Sequence, residues 1–147
     1  MPTTNTPEPA LVDTNVLVYA LDPSSAFHAA SRSLRDRGLL GVEPLFLSPH
    51  ILWEFFSVVT NPSAVPKPLT PDAARAEVEK YATALPLVFP TDQIVDDVTR
   101  LMTQTPVSGR RIYDLVHVAT MIENNIARVY TFDAGFPVVP GIDVRKP

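Results

Sequence analysis

Cysteine is absent from the 147-residue sequence. No disulfide, thiolate metal site or cysteine nucleophile is therefore available, and the chain suits a reducing cytoplasm. A membrane-spanning stretch is also lacking. The apolar run from Pro44 to Trp53 is bracketed by Glu43 and Glu54, far short of the roughly 18 uncharged residues that a spanning helix needs. Residues 1–9 have neither a basic start nor an apolar run; they read as a disordered tail, not as a signal peptide. Nor is there an excess of positive charge. A net charge of −4 excludes a general attraction to nucleic acid and leaves any such binding to local basic residues or bound cations. The expectation is a soluble, cytoplasmic protein without membrane association.

What remains is an ordinary globular balance, 46% hydrophobic and 19% charged. A chain of this size buries roughly 68–70% of its unfolded surface, enough for one core. The 16 prolines are spread along the chain and not gathered into a linker, so a single domain over residues 10–147 is expected, with no internal repeat.

Periodicity and punctuation suggest alternating strands and helices. Strands are expected at Ala10–Val12, Pro44–Leu47, Leu87–Phe89, Arg128–Phe132 and Ile142–Val144. Between them the pattern predicts helices from Asn15 to Leu21, from Ala26 to Arg37 with Gly38 as terminator, and from Pro49 to Val59. Further helices are expected from Pro71 to Ala84, from a cap at Thr91 or Asp92 to Gln104, and from Ile112 to Asn124. Residues 62–68 form an irregular loop. Such alternation implies an α/β fold whose mainly parallel sheet is covered on both faces.

Four acids stand out by context. Ala10–Leu21 is apolar apart from Asp13, Thr14 and Asn15, so Asp13 marks the end of a buried strand, where Thr14 or Asn15 can cap the next helix. An ionised carboxylate there costs several kcal/mol unless it finds a hydrogen bond, a proton or a cation. Sheet ends of this kind are where α/β proteins place their sites. Glu54 shares a helix face with Ile51 and Val58, a position with no routine capping role. Asp114 opens a helix, beside Val118 and Met121, and Asp133 follows the apolar strand Val129–Phe132. Each has an ordinary alternative: Asp13 as a cap, Asp114 as a favourable first-turn charge, Asp133 in an Asx-turn before Ala134-Gly135. By contrast Asp36, Glu77, Glu79, Asp96, Asp97 and Glu123 stand in mixed polar segments and read as solvated. Four carboxylates meeting at one sheet end would repel one another unless they held cations. Hard oxygen donors without cysteine favour Mg²⁺ or Mn²⁺ over zinc.

Leu11-Val12-Asp13-Thr14-Asn15-Val16-Leu17-Val18-Tyr19-Ala20, Glu54 with Asn61-Pro62, Tyr113-Asp114-Leu115-Val116-His117-Val118-Ala119 and Thr131-Phe132-Asp133-Ala134-Gly135-Phe136 together resemble the PIN-domain ribonucleases. Within these the chain is most similar to the VapC toxins of bacterial VapBC toxin–antitoxin pairs, over nearly its whole length after the tail. The resemblance implies a PIN-like α/β/α sandwich over residues 10–147 and an acid pocket holding Mg²⁺ or Mn²⁺. It also implies endonucleolytic cleavage of RNA, a homodimeric toxin and a VapB-type antitoxin that blocks the site. In one respect the chain departs: many relatives carry a further acid two residues after the match to Asp133, where this chain has Gly135.

The catalytic and metal-binding set is then Asp13, Glu54, Asp114 and Asp133, whose metal would acidify a water for in-line attack on a phosphodiester. Asn15 and Thr131, with Thr14, are candidates to orient the carboxylates from behind. Arg110 and Arg111, in Ser108-Gly109-Arg110-Arg111, are the best local phosphate binders, while Arg32, Arg35 and Arg37 read mainly as a solvated face. His117 is expected to be structural or on the surface, and Trp53, Phe55, Phe56 and Phe46 to serve the core or a dimer interface. A phosphotransferase with Asp13 as nucleophile would ordinarily want a second acid where Asn15 stands. The alternatives kept are a PIN-domain nuclease of RNA processing and a non-catalytic PIN-like RNA-binding domain.

Overall fold

The computed structural model describes residues 6–147. At its centre lies β1 (Ala10–Val12), flanked by β2 (Leu45–Phe46) and β3 (Arg128–Tyr130), with β4 (Asp143–Arg145) outside β3. All pairings are parallel, with Leu11 opposite both Phe46 and Val129. Parallel strands need crossovers, and the helices supply them: α1 (Thr14–Leu21), α2 (His28–Leu39), α3 (Pro49–Val59), α4 (Pro71–Ala84), α5 (Ile94–Gln104) and α6 (Ile112–Glu123), the last preceded by a 3₁₀ turn at Gly109–Arg111. The result is the expected α/β/α sandwich around a parallel sheet.

Every residue of β1 is buried, as an uninterrupted Ala-Leu-Val strand between two helical layers requires. α1 packs on α2 and α3, α3 on α4, and α5 on α6. Phe55 and Tyr81 are fully buried and meet edge to face at 5.7 Å, locking α3 to α4. Truncation of such an aromatic to alanine costs about 3–5 kcal/mol.

The expected tail, residues 1–9, lies partly outside the described residues. Residues 6–9 are exposed and carry no secondary structure, while Glu8 reaches Arg128 at 3.3 Å. The strand expected at Leu87–Phe89 is reduced to a single parallel bridge, Leu47 with Leu87. Pro86 and Pro90 flank it without N–H donors, and the Phe89 carbonyl is taken by Asn124 Nδ2 at 2.9 Å. β3 stops at Tyr130 and not Phe132, because the Phe132 N–H is diverted to Asn15 Oδ1 at 3.1 Å and that of Asp133 to Thr131 Oγ1 at 3.0 Å.

Gly38 does not end α2; the helix runs through it, because a Cβ there would stand 2.5 Å from Leu45 Cδ1. Its role is close approach to β2. The left-handed residue just past the helix is Gly41, at φ +73. α5 starts at Ile94 with Gln93 as an N-cap that makes no side-chain bond; Thr91 Oγ1 instead accepts from Gln93 N at 3.1 Å in a local turn. Glu123 is half-buried and not solvated, accepting from the Thr91 N–H at 2.6 Å.

Candidate active site

The carboxyl end of β1 feeds directly into α1, and Asp13 occupies the junction. It, and not Thr14 or Asn15, is the N-cap: its Oδ1 accepts from the Thr14 N–H at 2.8 Å. Its Oδ2 accepts from Thr131 Oγ1 at 2.7 Å and from Asn15 Nδ2 at 3.2 Å. Asn15 Nδ2 also reaches Thr131 Oγ1 at 3.0 Å. The cluster ties the ends of β1 and β3 together, so the residues expected to orient the acids, Asn15 and Thr131, touch Asp13 itself. Only 8% exposed, Asp13 has its pKa raised by desolvation, against the pull of its Thr131 hydrogen bond. A buried carboxyl that resists ionisation is one that a cation would relieve.

Glu54 enters from the middle of α3. Its Oε2 accepts from Thr14 Oγ1 at 3.1 Å and lies 3.8 Å from His117 Nε2. The adjacent His117 imidazole, helped by the Thr14 hydrogen bond, holds the Glu54 carboxyl below its ordinary range. His117 is therefore neither a surface residue nor a core bystander; it is 3% exposed and faces the carboxylate. His50, one helical turn before Glu54, stands 4.0 Å from the same oxygen. It was not singled out in the sequence, although the four-residue spacing from Glu54 on one helix was the available signal. Burial, and then the neighbouring His117, lower the His50 pKa.

Asp114, in the first turn of α6, and Asp133, just past β3, share a partner the sequence did not predict. Arg111 Nη1 donates to Asp114 Oδ2 at 3.0 Å and also pairs with Asp133 Oδ2, and its Nη2 donates to Asp133 Oδ1 at 3.3 Å. Arg111 thereby holds Asp133 below its usual range, whereas burial wins at Asp114 and raises its pKa in spite of the guanidinium. Gly135 makes this possible, because a Cβ at that position would stand only 2.8 Å from Arg111 Cζ. The position where the family resemblance leads one to expect an acid is thus the space an arginine fills here. Arg110 is exposed and, with Arg111 and Tyr113, lines a cavity of about 340 Å³ whose remaining lining is Glu54, Asp114 and Asp133.

Asp13, Glu54, Asp114 and Asp133 line one open cleft of about 250 Å³, together with Thr14, Asn15, Val18, Tyr19, Val58 and Ala64. Oxygen donors alone line its polar wall, with no sulfur and no imidazole in the lining. That donor set fits a hard divalent cation such as Mg²⁺ or Mn²⁺. Two of its members, Asp13 and Asp114, are carboxyls whose charged form the protein itself disfavours.

A parallel sheet with an acid cleft across the carboxyl ends of its central strands defines a PIN-type nuclease domain, and the chain matches the PIN domain family over residues 10–142. It is 33% identical over 127 residues to ribonuclease VapC43 of Mycobacterium tuberculosis, covering 85% of this chain and 86% of that one. Over 139 residues it is 27% identical to ribonuclease VapC37 of the same organism, covering 93% and 96%. The chain therefore belongs to the PIN-domain family, among the VapC ribonucleases. Among solved structures, Mycobacterium tuberculosis VapC20, described as a Sarcin-Ricin loop cleaving toxin, superposes with a TM-score of 0.65 at 19% identity over 86% of this chain and 92% of that one. DNA-bound VapBC from Salmonella typhimurium gives the same score and identity over 95% and 98%.

Proposed function

We propose that the chain is a metal-dependent endoribonuclease, the toxin of a VapBC-type pair, with Asp13, Glu54, Asp114 and Asp133 as its catalytic and metal-binding residues. The observation that carries this reading is the convergence of those four carboxylates in one cleft of a PIN domain. Mg²⁺ or Mn²⁺ held by these four carboxylates would supply an acidified water and offset charge on the scissile phosphate.

The chain's own residues do the rest. Asp13 is held in one rotamer by Thr14, Asn15 and Thr131, which occupy three of its roughly four acceptor sites and leave one, on Oδ1, for a cation. Thr14 fixes Glu54 from the same side. Arg111 neutralises part of the charge on Asp114 and Asp133, which keeps the far wall of the cleft assembled when no cation is bound. Arg110, and Arg111 through its remaining donors, line the adjoining cavity and bind the RNA backbone beyond the scissile phosphate.

On this reading the partners are RNA, a VapB-type antitoxin and a second copy of the chain. The homodimer is supported by Trp53, 64% exposed beside Phe56 and Val78. The protein acts in the cytoplasm; no helix among the described residues is long and apolar enough to cross a membrane.

Induction of the chain alone should arrest growth, co-expression of its antitoxin should restore it, and sequencing of RNA 5′ ends after brief induction should show new cleavage sites. Normal growth with abundant soluble protein and unaltered RNA ends would defeat the reading.

A further inference from the structure

The acid cleft leaves two ligand-bearing side chains beside it unused. His50 and Glu54 lie one turn apart on α3, and His117 comes from α6. One ligand atom from each falls within 4.8 Å of the others. Two of those edges, from Glu54 Oε2 to His117 Nε2 and to His50 Nε2, are 3.8 Å and 4.0 Å. Around a tetrahedral zinc with bonds of about 2.0–2.2 Å, neighbouring ligand atoms lie roughly 3.4 Å apart. Two edges of the triangle therefore need to contract by about half an ångström and the third, at most 4.8 Å, by up to about 1.4 Å, which movement of a half-exposed His50 on the first turn of its helix supplies.

The three groups are also held in place. His117 is buried, and the His50 ring stacks on Tyr113 at 5.2 Å while crossing His117 edge-on at 5.2 Å. Thr14 fixes Glu54 from the opposite side. His50 and His117 also line a separate cleft of about 410 Å³, bounded by Ser48, Trp53, Phe89 and Thr120. Glu54 lines the acid cleft and neither histidine does. Glu54 thus opens on the acid cleft and the two histidines open on the other, with their ligand atoms meeting in between.

Donor chemistry separates the two sides. Mg²⁺ and Mn²⁺ favour carboxylate oxygen, whereas imidazole suits zinc, which also lies above manganese in affinity for mixed nitrogen and oxygen sites. Two histidines and one glutamate with an open fourth position make up a donor set that zinc accepts. We propose that His50, Glu54 and His117 form a second metal site, selective for zinc over Mg²⁺ and Mn²⁺, which shares Glu54 with the acid cleft. Zinc there withdraws Glu54 from the cleft, so zinc and Mn²⁺ weaken one another's binding by the same factor. The zinc site stands on its own geometry; only this antagonism rests on the reading of the acid cleft as a metal site.

The test uses tag-free, metal-stripped full-length protein, with calorimetric zinc titration and Co²⁺ as a spectroscopic stand-in. Wild type should show the visible absorption of tetrahedral, nitrogen-ligated Co²⁺, displaced by zinc. Loss of an outer-shell partner alone weakens metal binding about 10–100-fold, so His50→Ala and His117→Asn should lower zinc affinity at least that much and abolish the Co²⁺ band. Asp114→Asn should keep the band while losing the rise in melting temperature on adding Mn²⁺. His50→Ala should keep that rise, which zinc should no longer suppress. Because His50 is half-exposed on the first turn of its helix, its variant remains informative if His117→Asn fails to fold. Absence of the tetrahedral Co²⁺ spectrum in wild type, or equal zinc affinity in wild type and His50→Ala, would overturn the site. Failure of Asp114→Asn to lose the Mn²⁺ response would instead count against the acid cleft.

Discussion

Replacing Thr131 by valine keeps the shape of the side chain and removes one oxygen, and that oxygen makes three contacts. Thr131 Oγ1 donates to Asp13 Oδ2 at 2.7 Å and accepts from Asn15 Nδ2 and from the Asp133 N–H, both at 3.0 Å. A hydrogen bond to a charged group contributes about 1.5–3 kcal/mol, and an amide left without an acceptor costs about 1–3 kcal/mol. Water can partly replace the contact at Asp133, which is about one-third exposed, but not at Asp13. The expected loss in metal-free protein is therefore about 2–4 kcal/mol, or roughly 6–15 °C in melting temperature for a domain of this size. Thr131→Ser retains the oxygen and should stay within about 1 kcal/mol of wild type. Chemical denaturation and thermal melting in EDTA measure the stability, and calorimetry measures Mn²⁺ affinity, expected to fall about 10–100-fold in the valine variant. If Thr131→Val matched wild type within about 0.5 kcal/mol and bound Mn²⁺ equally well, the hydroxyl would not be the anchor of the cleft.

Burial raises the pKa values of Asp13 and Asp114 above the ordinary 3.8. Folding therefore favours their protonated forms, and the stability they contribute is full below pH 3.8 and lost as pH rises through their folded values. Asp114→Asn stays neutral throughout and keeps one oxygen for Arg111, so without metal at neutral pH it should melt at or above wild type, with the gain vanishing in acid; Asp13→Asn turns an amide nitrogen toward the donors of Asn15 and Thr131 and should melt below wild type. Both should lose RNA cleavage and the Mn²⁺-induced rise in melting, while the surface control Asp97→Asn keeps both; lower melting with an intact Mn²⁺ response would mark the acids as structural. Arg110→Ala should weaken RNA binding and flatten its dependence on log salt by about 0.7–1 per phosphate contact without altering Mn²⁺ affinity. Arg111→Ala should change both, since its guanidinium is engaged with two of the acids; identical salt slopes for wild type and both variants would remove the arginines from the RNA surface.

Much of the fold was legible because its signals are local. β1, α3 and α4 have the expected bounds, set by an apolar run and by helices opening at Pro49 and Pro71. The misreadings arise where a distant side chain outcompetes the local pattern. Asn15, more than a hundred residues away in sequence, captures the Phe132 N–H and ends β3 early. Gly38 looks like a terminator until Leu45 is packed on it. The acids were recognisable one at a time, as a polar residue at the end of an apolar strand or on an apolar helix face. Their mutual partners were not. Whether Arg111 turns outward to solvent or inward to Asp114 and Asp133 depends on β3 and α6 lying side by side, and no window of sequence around Arg111 reports that.

The space above Gly135 bears on how this cleft depends on its surroundings. Gly135 does not have a positive φ, so an L-residue would be acceptable to the backbone; the Arg111 guanidinium stands in its way, and Asp133 Oδ1 lies 3.3 Å from where its Cβ would be. An aspartate at that position would evict the arginine and add a negative charge where a positive one had been. Balance at Asp114 and Asp133 would then have to come from dissolved cations, whose supply varies. A positive charge carried on the chain is present at the same effective concentration whatever the medium contains, so the Gly135–Arg111 pairing makes the metal-free shape of the cleft independent of cellular magnesium.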